Sequence, residues 1–335
     1  MPEHDEAGPG APRFDQAGLD VTGLDVTGLD VTGLEDAIRG LTDVRARRPE
    51  AIREAAGRRK RRPLLDETGR LMLVAADHPG RGALGVGGDE HAIADRIDLL
   101  RRLALALARP GVDGVLATAD LLEDLLLLGA LEDKVVVGSM NRGGLQGAVF
   151  ELDDRFTGYD ASSLSAMGFD GGKMLCRVDL DDHGSVATLE SCAHAVGELA
   201  ERGLVAMVEP FWSRRVDGRV VNDLAPDAVI RSMAVTSALG PTSAYTWLKV
   251  PVVDDMARVM RATTLPTVLL GGDPARSPEA TYARWAEALA VPGVRGLVVG
   301  RTLLYPPDGE VAAAVDTAAA LVRSGERAGA GVRDG

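Results

Sequence analysis

From Leu71 onward, short apolar runs rich in Val, Leu, Ala and Gly alternate with longer stretches in which apolar residues recur every three or four positions. The first pattern predicts strands buried on both faces, the second amphipathic helices packed against them. The runs are Leu71–Ala76, Gly114–Thr118, Lys134–Gly138, Lys173–Val178, Val205–Glu209, Tyr245–Val250, Thr267–Gly271 and Gly296–Gly300. Helical patterns lie near 91–108, 120–130, 161–168, 187–202, 225–238, 254–263, 278–290 and 310–323. Two of these carry start signals: Asp89 ahead of the first, and Ser277 followed by Pro278 and Glu279 ahead of the seventh. Eight strands alternating with eight helices over about 250 residues predict a (β/α)8 TIM barrel of the α/β class. A doubly wound open sheet is the alternative, but eight units without a second domain fit closure better.

The flanks read differently. Residues 1–17 are rich in Gly, Pro and acid, a composition of disordered chain. Gly-Leu-Asp-Val-Thr then repeats from Gly18, Gly23 and Gly28. Such units are far too short for a solenoid and read as a slipped duplication ahead of the fold. Glu35 to Arg62 is helical in pattern, is interrupted by Pro49 and Gly57, and is expected to cover the closed end of the barrel. The predicted organisation is a tail over 1–34, a helical extension over 35–66, the barrel over 67–325 and a second tail over 326–335. The longest connection, Asn141–Asp160 after the third strand, contains Gly143, Gly144 and Tyr159 and is expected to shape the mouth of the site.

Composition narrows this further. Of 335 residues 46% are hydrophobic but only 4% aromatic, so the core is built from Ala, Val and Leu, as buried parallel strands require. A formal charge of -13 argues against nucleic acid as a partner. The basic run Arg58–Arg62 is read as a solvated face. Cys176 and Cys192 lack metal-ligand spacing, and a disulfide between them is not expected. With no signal peptide and no apolar run long enough to span a bilayer, a cytoplasmic protein without membrane contact is expected.

Chemistry enters with Lys249, inside the apolar run Tyr245–Val253 and followed by Pro251 after one residue. The chain has only four lysines, Lys60, Lys134, Lys173 and Lys249, against many arginines. Lysine where arginine or an apolar residue would serve suggests a need for an amine that can lose its proton. A lysine snorkelling from a strand end is the competing reading. Barrel strands alternate inward and outward, and sites form at their C-terminal ends. With Lys249 inward, parity also turns inward Trp247, then Val205, Met207 and Glu209, then Lys173, Leu175 and Arg177, and finally Asp77.

Several ionisable groups thus converge where packing alone would use Val, Ile or Leu. A free lysine titrates near roughly 10.4, and desolvation or a neighbouring cation such as Lys173 would free its lone pair for attack on a carbonyl. Asp77 or Glu209 could then move protons to or from the substrate. The bland alternative is a buried Lys–carboxylate network that only satisfies itself.

The last two predicted strands end in Gly271-Gly272-Asp273 and Gly300-Arg301-Thr302, where such barrels commonly seat a phosphate. His78 is placed near the mouth as a hydrogen-bonding group. Five histidines without paired spacing give no metal site, and no cofactor is expected. Trp212 either lines the pocket or packs.

Ala76-Asp-His-Pro, Lys173, Glu209-Pro and Leu248-Lys-Val-Pro, with Gly271-Gly272 and Gly300-Arg301, resemble the class I aldolases over about residues 70–323. The branch resembled is that of the tagatose-bisphosphate, archaeal-type fructose-bisphosphate and deoxyribose-phosphate enzymes. A closer resemblance is to actinobacterial aldolase-like barrels linked to inositol catabolism. The resemblance implies Lys249 as Schiff-base former, Asp77 as hydroxyl-binding acid/base and Glu209 as a second proton-transfer group. Lys173 is implied to bind substrate or tune the amine. The implied partner is a phosphorylated keto-sugar or keto-acid, such as 6-phospho-5-dehydro-2-deoxygluconate, in a barrel that can form a homo-oligomer. The 141–160 loop and Phe211–Arg215 depart from the best-known members, so substrate identity does not carry over. A Schiff-base acyl or aldol transferase and a non-catalytic sugar-phosphate-binding barrel stay open beside the lyase.

Overall fold

In the computed structural model, residues 31–271 and 277–324 are described. The strands are β1 (Leu71–Ala76), β2 (Gly114–Ala117), β3 (Val135–Ser139), β4 (Gly171–Val178), β5 (Val205–Val216), β6 (Arg219–Asp223), β7 (Thr246–Pro251), β8 (Thr267–Leu270) and β9 (Val294–Val299). All but β6 pair in parallel in the order β4-β3-β2-β1-β9-β8-β7-β5, and β4 pairs with β5 to close the ring. The fold is therefore a (β/α)8 barrel. Its helices are α1 (Val31–Arg47), α2 (Ala51–Arg58), α3 (Arg96–Ala108), α4 (Ala119–Leu127), α5 (Ala161–Ala166), α6 (Gly184–Glu201), α7 (Pro226–Ser237), α8 (Met256–Met260), α9 (Pro278–Leu289), α10 (Arg301–Leu304) and α11 (Val311–Ser324).

Alternation sorts the strand residues into two cores. Leu71, Leu73, Ala75, Leu116, Val135, Val137, Val205, Met207, Trp247, Val268 and Val298 fill the barrel interior. The intervening positions, such as Met72, Val74, Val115 and Val136, join the helices in the larger outer core. Closure also needs one irregularity. Register slips between β8 and β9 after Thr267, which faces Val294, because Val268 faces Gly296. Gly296 has φ 146°, and a Cβ there would lie 1.8 Å from the Leu71 carbonyl oxygen, so only glycine fits this bulge.

Several local expectations shift. The helix expected from residue 91 begins at Arg96, because the Asp95 side chain, not that of Asp89, accepts from the N–H groups of Ile97 and Asp98. Asp89 instead caps a turn through the His91 N–H, at 2.8 Å. Ser277 does cap α9 by accepting from the Ala280 N–H. The fifth strand runs well beyond Glu209 into a hairpin with β6, across a two-residue turn at Asp217 (φ 50°) and Gly218 (φ 77°). An Asp-Gly pair with both φ positive is the type I′ signature whose twist suits a hairpin. Helix α1 starts at Val31, inside the stretch expected to be tail, and Gly57 lies within α2 instead of breaking it. The repeat up to residue 30 and the tail expected from 326 lie outside the described residues.

The closed end is sealed differently from expectation. Helices α1 and α2 pack on the barrel's outside, against α3 and α4. The seal is the segment after α2, where Leu64 and Leu65 pack against the interior core. The basic run Arg58–Arg62 is not a plain solvated face but clamps this seal. Arg59 is buried and donates to the carbonyls of Lys134 (2.8 Å) and Gly168 (2.6 Å). Lys60 pairs with Asp133 at 2.9 Å, Arg61 with Asp170 at 3.0 Å and Arg62 with Asp113 at 2.7 Å. Two of these acids stand just before a strand and brace its neighbour: Asp113 accepts from the Met72 N–H and Asp170 from the Val136 N–H. Cys176 and Cys192 are both buried and unbridged.

Asp113 also takes Arg323 of α11 at 2.7 Å, so one carboxylate joins the seal, β1 and the last helix. Asp113→Ala is expected to cost about 3 kcal/mol, the low end for a broken buried pair because both arginines can turn to water. A urea midpoint that falls with unchanged slope would show this, and an unmoved midpoint would refute it.

Candidate active site

At the C-terminal end of the barrel the apolar interior gives way to charge. One step above Ala75, Val137, Met207 and Trp247 along their strands stand Asp77, Ser139, Glu209 and Lys249, with Lys173 reaching up from β4. All are buried: Asp77 is 3% exposed, Lys173 2%, Glu209 8% and Lys249 4%. Pairing of Val208 with Leu248 brings Glu209 and Lys249 side by side.

The four groups form one chain of contacts. Lys249 Nζ donates to Glu209 Oε1 at 3.1 Å. The other oxygen, Glu209 Oε2, pairs with Lys173 Nζ, which also donates to Asp77 Oδ2 at 3.0 Å. Arg142 continues the chain, pairing its Nη2 with Asp77 Oδ2 while its Nε donates to Ser139 Oγ at 2.7 Å. His78 Nδ1 stands 3.8 Å from Asp77 Oδ1.

These contacts decide the charge states. Burial alone would raise the Asp77 carboxyl, but Lys173 and Arg142 outweigh it and hold it well below the usual carboxylate range. Burial likewise opposes ionisation of Glu209, and Lys173 and Lys249 together bring it down to about 2. Burial lowers the Lys173 ammonium although Asp77 and Glu209 counter part of the effect. Desolvation in the pocket pushes His78 down to about 4, against the pull of Asp77, so it is neutral at pH 7.

The chain lies on the floor of a cavity of about 600 Å³. Arg301 and Gly271 form part of its wall, on the side of the last two strands. A Cβ at Gly300 would lie 2.1 Å from the Ala75 carbonyl oxygen, so glycine there is demanded by the close approach of β1. Arg301 is half-buried and donates to the Gly85 carbonyl at 3.3 Å, and burial lowers its pKa. Gly272 lies outside the described residues. Arg177 lines the cavity too, but its guanidinium is engaged by the Glu151 carboxylate at 2.5 Å and carbonyl at 2.8 Å, which leaves it committed to the 141–160 loop. Trp212 does not line the cavity. It packs half-buried on the outer core, while Phe211 faces the cavity. Among the described residues no three His, Cys, Asp or Glu are grouped to hold a metal ion, and no helix is long and apolar enough to cross a membrane.

Sequence reading passed over Arg142 and Arg81. Both lie outside the strands, where parity says nothing. Arg81 is buried below the mouth and ties down the long loop through the carbonyls of Asn141 (2.7 Å) and Gly144 (2.8 Å). The available signal was an arginine beside Gly143-Gly144 in a loop already expected to border the site. Asn222 and Leu224, brought to the cavity by the hairpin, were signalled by Asp217-Gly218.

The pattern of the Cgl0159-like family matches residues 69–319. The chain belongs to the Cgl0159-like family. The crystal structure of Cgl0159 from Corynebacterium glutamicum is 57% identical, covers 86% of this chain and 97% of its own, and superposes with a TM-score of 0.84. An archaeal fructose-1,6-bisphosphate aldolase, with its catalytic Lys covalently bound to the carbinolamine intermediate of the substrate, shares the barrel. It is 17% identical with a TM-score of 0.58, over 81% of this chain and 99% of that one. The fructose-bisphosphate aldolase of Slackia heliotrinireducens is 15% identical with a TM-score of 0.54, over 93% and 96%. At such identities the likeness is one of fold. No curated protein matches the chain.

The depressed carboxyl of Glu209 gives a pH signature. A group with a lowered folded pKa contributes stability above its unfolded value, here near 4.5, and loses it as pH falls toward about 2. Glu209→Gln is therefore expected to be less stable than the parent at pH 7, with the gap closing between those two values. Urea titrations across that range test it, and a constant gap would contradict the assignment.

Proposed function

We propose that the protein is a class I aldolase, a lyase that cleaves or forms a C–C bond in a phosphorylated keto-sugar or keto-acid through a Schiff base on Lys249. The observation that carries this reading is a buried lysine at the C-terminal end of a barrel strand, bonded to a carboxylate and open to a cavity. A self-satisfying ion network would need no cavity above it. The covalent lysine intermediate of the archaeal aldolase that shares this fold adds support.

In the cleavage direction Lys249, once its ammonium has passed a proton to Glu209, adds its amine to the substrate's keto carbon, and loss of water from the carbinolamine gives an iminium. Glu209 Oε1, 3.1 Å from Nζ, is placed to take the amine's proton and return it to the departing hydroxyl. The iminium then acts as electron sink. Asp77, held ionised by Lys173 and Arg142, accepts the proton of the hydroxyl on the carbon beyond the breaking bond, releasing an aldehyde and leaving an enamine. Protonation of the enamine and hydrolysis of the new iminium free the second product and restore Lys249. Lys173 keeps both carboxylates in place, being bonded to each. Gly271, Gly272, Gly300 and Arg301 are assigned the phosphate, with His78 and Arg177 at the cavity wall. The first substrate to test is 6-phospho-5-dehydro-2-deoxygluconate.

Borohydride reduction in the presence of a panel of phosphorylated ketoses and keto-acids should leave one stable adduct on Lys249, located by peptide mass spectrometry. No adduct with any compound, or an adduct that survives Lys249→Met, would sink the proposal. Asp77→Asn is expected to lower kcat by about 10²–10⁴-fold while the adduct still forms, because it acts after the iminium.

A further inference from the structure

Strand β6 ends the sheet order, so one of its edges faces no other strand among the described residues. Its sequence, Arg219-Val220-Val221-Asn222-Asp223, has opposite charges at the two ends and valine at the centre. Because the hairpin closes on a two-residue turn, Val216 and Arg219 form a hydrogen-bonded pair, and the pairs alternate from there. Arg219, Val221 and Asp223 therefore point their N–H and C=O groups at β5. Those of Val220 and Asn222 point at the open edge.

Such an edge is a template for another strand. Natural edges are often guarded by proline, a bulge or an inward charge, and β6 has no proline, pairs in unbroken register and carries an exposed Val221, 42% accessible. Val216, its neighbour on the same outer face, is 41% accessible, and Leu224 just beyond the strand is 52% accessible. Arg219 is exposed and has no ion-pair partner among the described residues. Among the described residues the Asp223 carboxylate is engaged only through Oδ1, by the Ala225 N–H at 2.9 Å.

We propose that β6 is the contact between two copies of this chain, which join edge to edge about a twofold axis through Val221. The antiparallel register then follows. Val221 faces Val221 of the second copy, Val220 faces Asn222 and Arg219 faces Asp223. Each hydrogen-bonding position meets another, since Val220 and Asn222 are the residues whose backbone groups point outward. The Arg219–Asp223 pairs fall at non-hydrogen-bonded positions, where side chains approach most closely, and the symmetry makes two of them. A register shifted by two residues would lose both charge pairs. The strand is thus complementary to itself, which favours a second copy over an unrelated strand. Asn222 and Leu224 line the cavity, so this contact would set the two cavity mouths beside one another.

The native cysteines are both buried, which makes cross-linking a clean test. In Val221→Cys the two thiols would meet at the axis, with Cα atoms about 4.5 Å apart, within reach of a disulfide. Glutathione disulfide, taking the two electrons and two protons, should convert most of this variant to a covalent dimer. Val220→Cys, which faces Asn222 and not itself, should cross-link about tenfold more slowly, its thiols lying out of disulfide range. By sedimentation, Arg219→Asp should weaken the dimer by about tenfold, since it sets like charges face to face, and adding Asp223→Arg should restore it. A parent chain that stays monomeric at every concentration tested overturns the proposal. So does a dimer in which the two cysteine variants cross-link equally, or one indifferent to Arg219→Asp.

Discussion

Burying Lys173 and Lys249 in the same barrel mouth is the constraint on which the rest of the site depends. Each ammonium removed from water costs several kcal/mol before compensation. The compensation is strictly alternating: Arg142, Asp77, Lys173, Glu209, Lys249, cation and carboxylate in turn. No member can be deleted without leaving a neighbour short of a partner. The same chain selects the register of β4, β5 and β7, since a slip of one residue would turn Lys173, Glu209 or Lys249 into the apolar layer under the helices.

This dependence explains why so much of the centre was legible in the sequence. Period-two alternation is rigid within a strand, so Lys249 on one strand and Glu209 on another could be turned to a common interior from parity alone. The contacts among Asp77, Lys173, Glu209 and Lys249 lie where that argument put them. Parity stops at the strand ends, however. Arg142 reaches Asp77 from a loop, and no repeat in the sequence announces a loop's path. Arg177 illustrates the opposite failure. Its inward position follows from parity, but parity could not foresee that Glu151 would occupy its guanidinium. The hairpin was missed for a different reason: Glu209-Pro210 reads as a strand end, whereas β5 continues with Pro210 in its path, where β4 already flanks it.

The cavity also departs from the protein around it. The chain carries a net charge of -13, yet Arg81, Arg142, Arg177, Arg284 and Arg301 all border the cavity. Asp77, Glu209 and Asp254 line it as well, and four of the arginines are paired, Arg81 with Asp154, Arg142 with Asp77, Arg177 with Glu151 and Arg284 with Asp254, which leaves Arg301 as the arginine without an ion-pair partner among the described residues. A cation held in a recess of an otherwise acidic protein favours small anions there over large polyanions.

The clamp beneath the barrel has a consequence for how the chain is built. Arg59 must find the Gly168 carbonyl, and Arg61 must find Asp170, both 109 residues further along. During synthesis the clamp leaves the ribosome long before its acceptors exist. Arg59 and Arg61 therefore wait for Gly168 and Asp170, whereas Arg58 can pair with Glu54 at once and Arg62 with Asp113 much earlier. Leu64 and Leu65 pack against an interior core that reaches to Val298 of β9, so their seal is complete only once the last strand has been made.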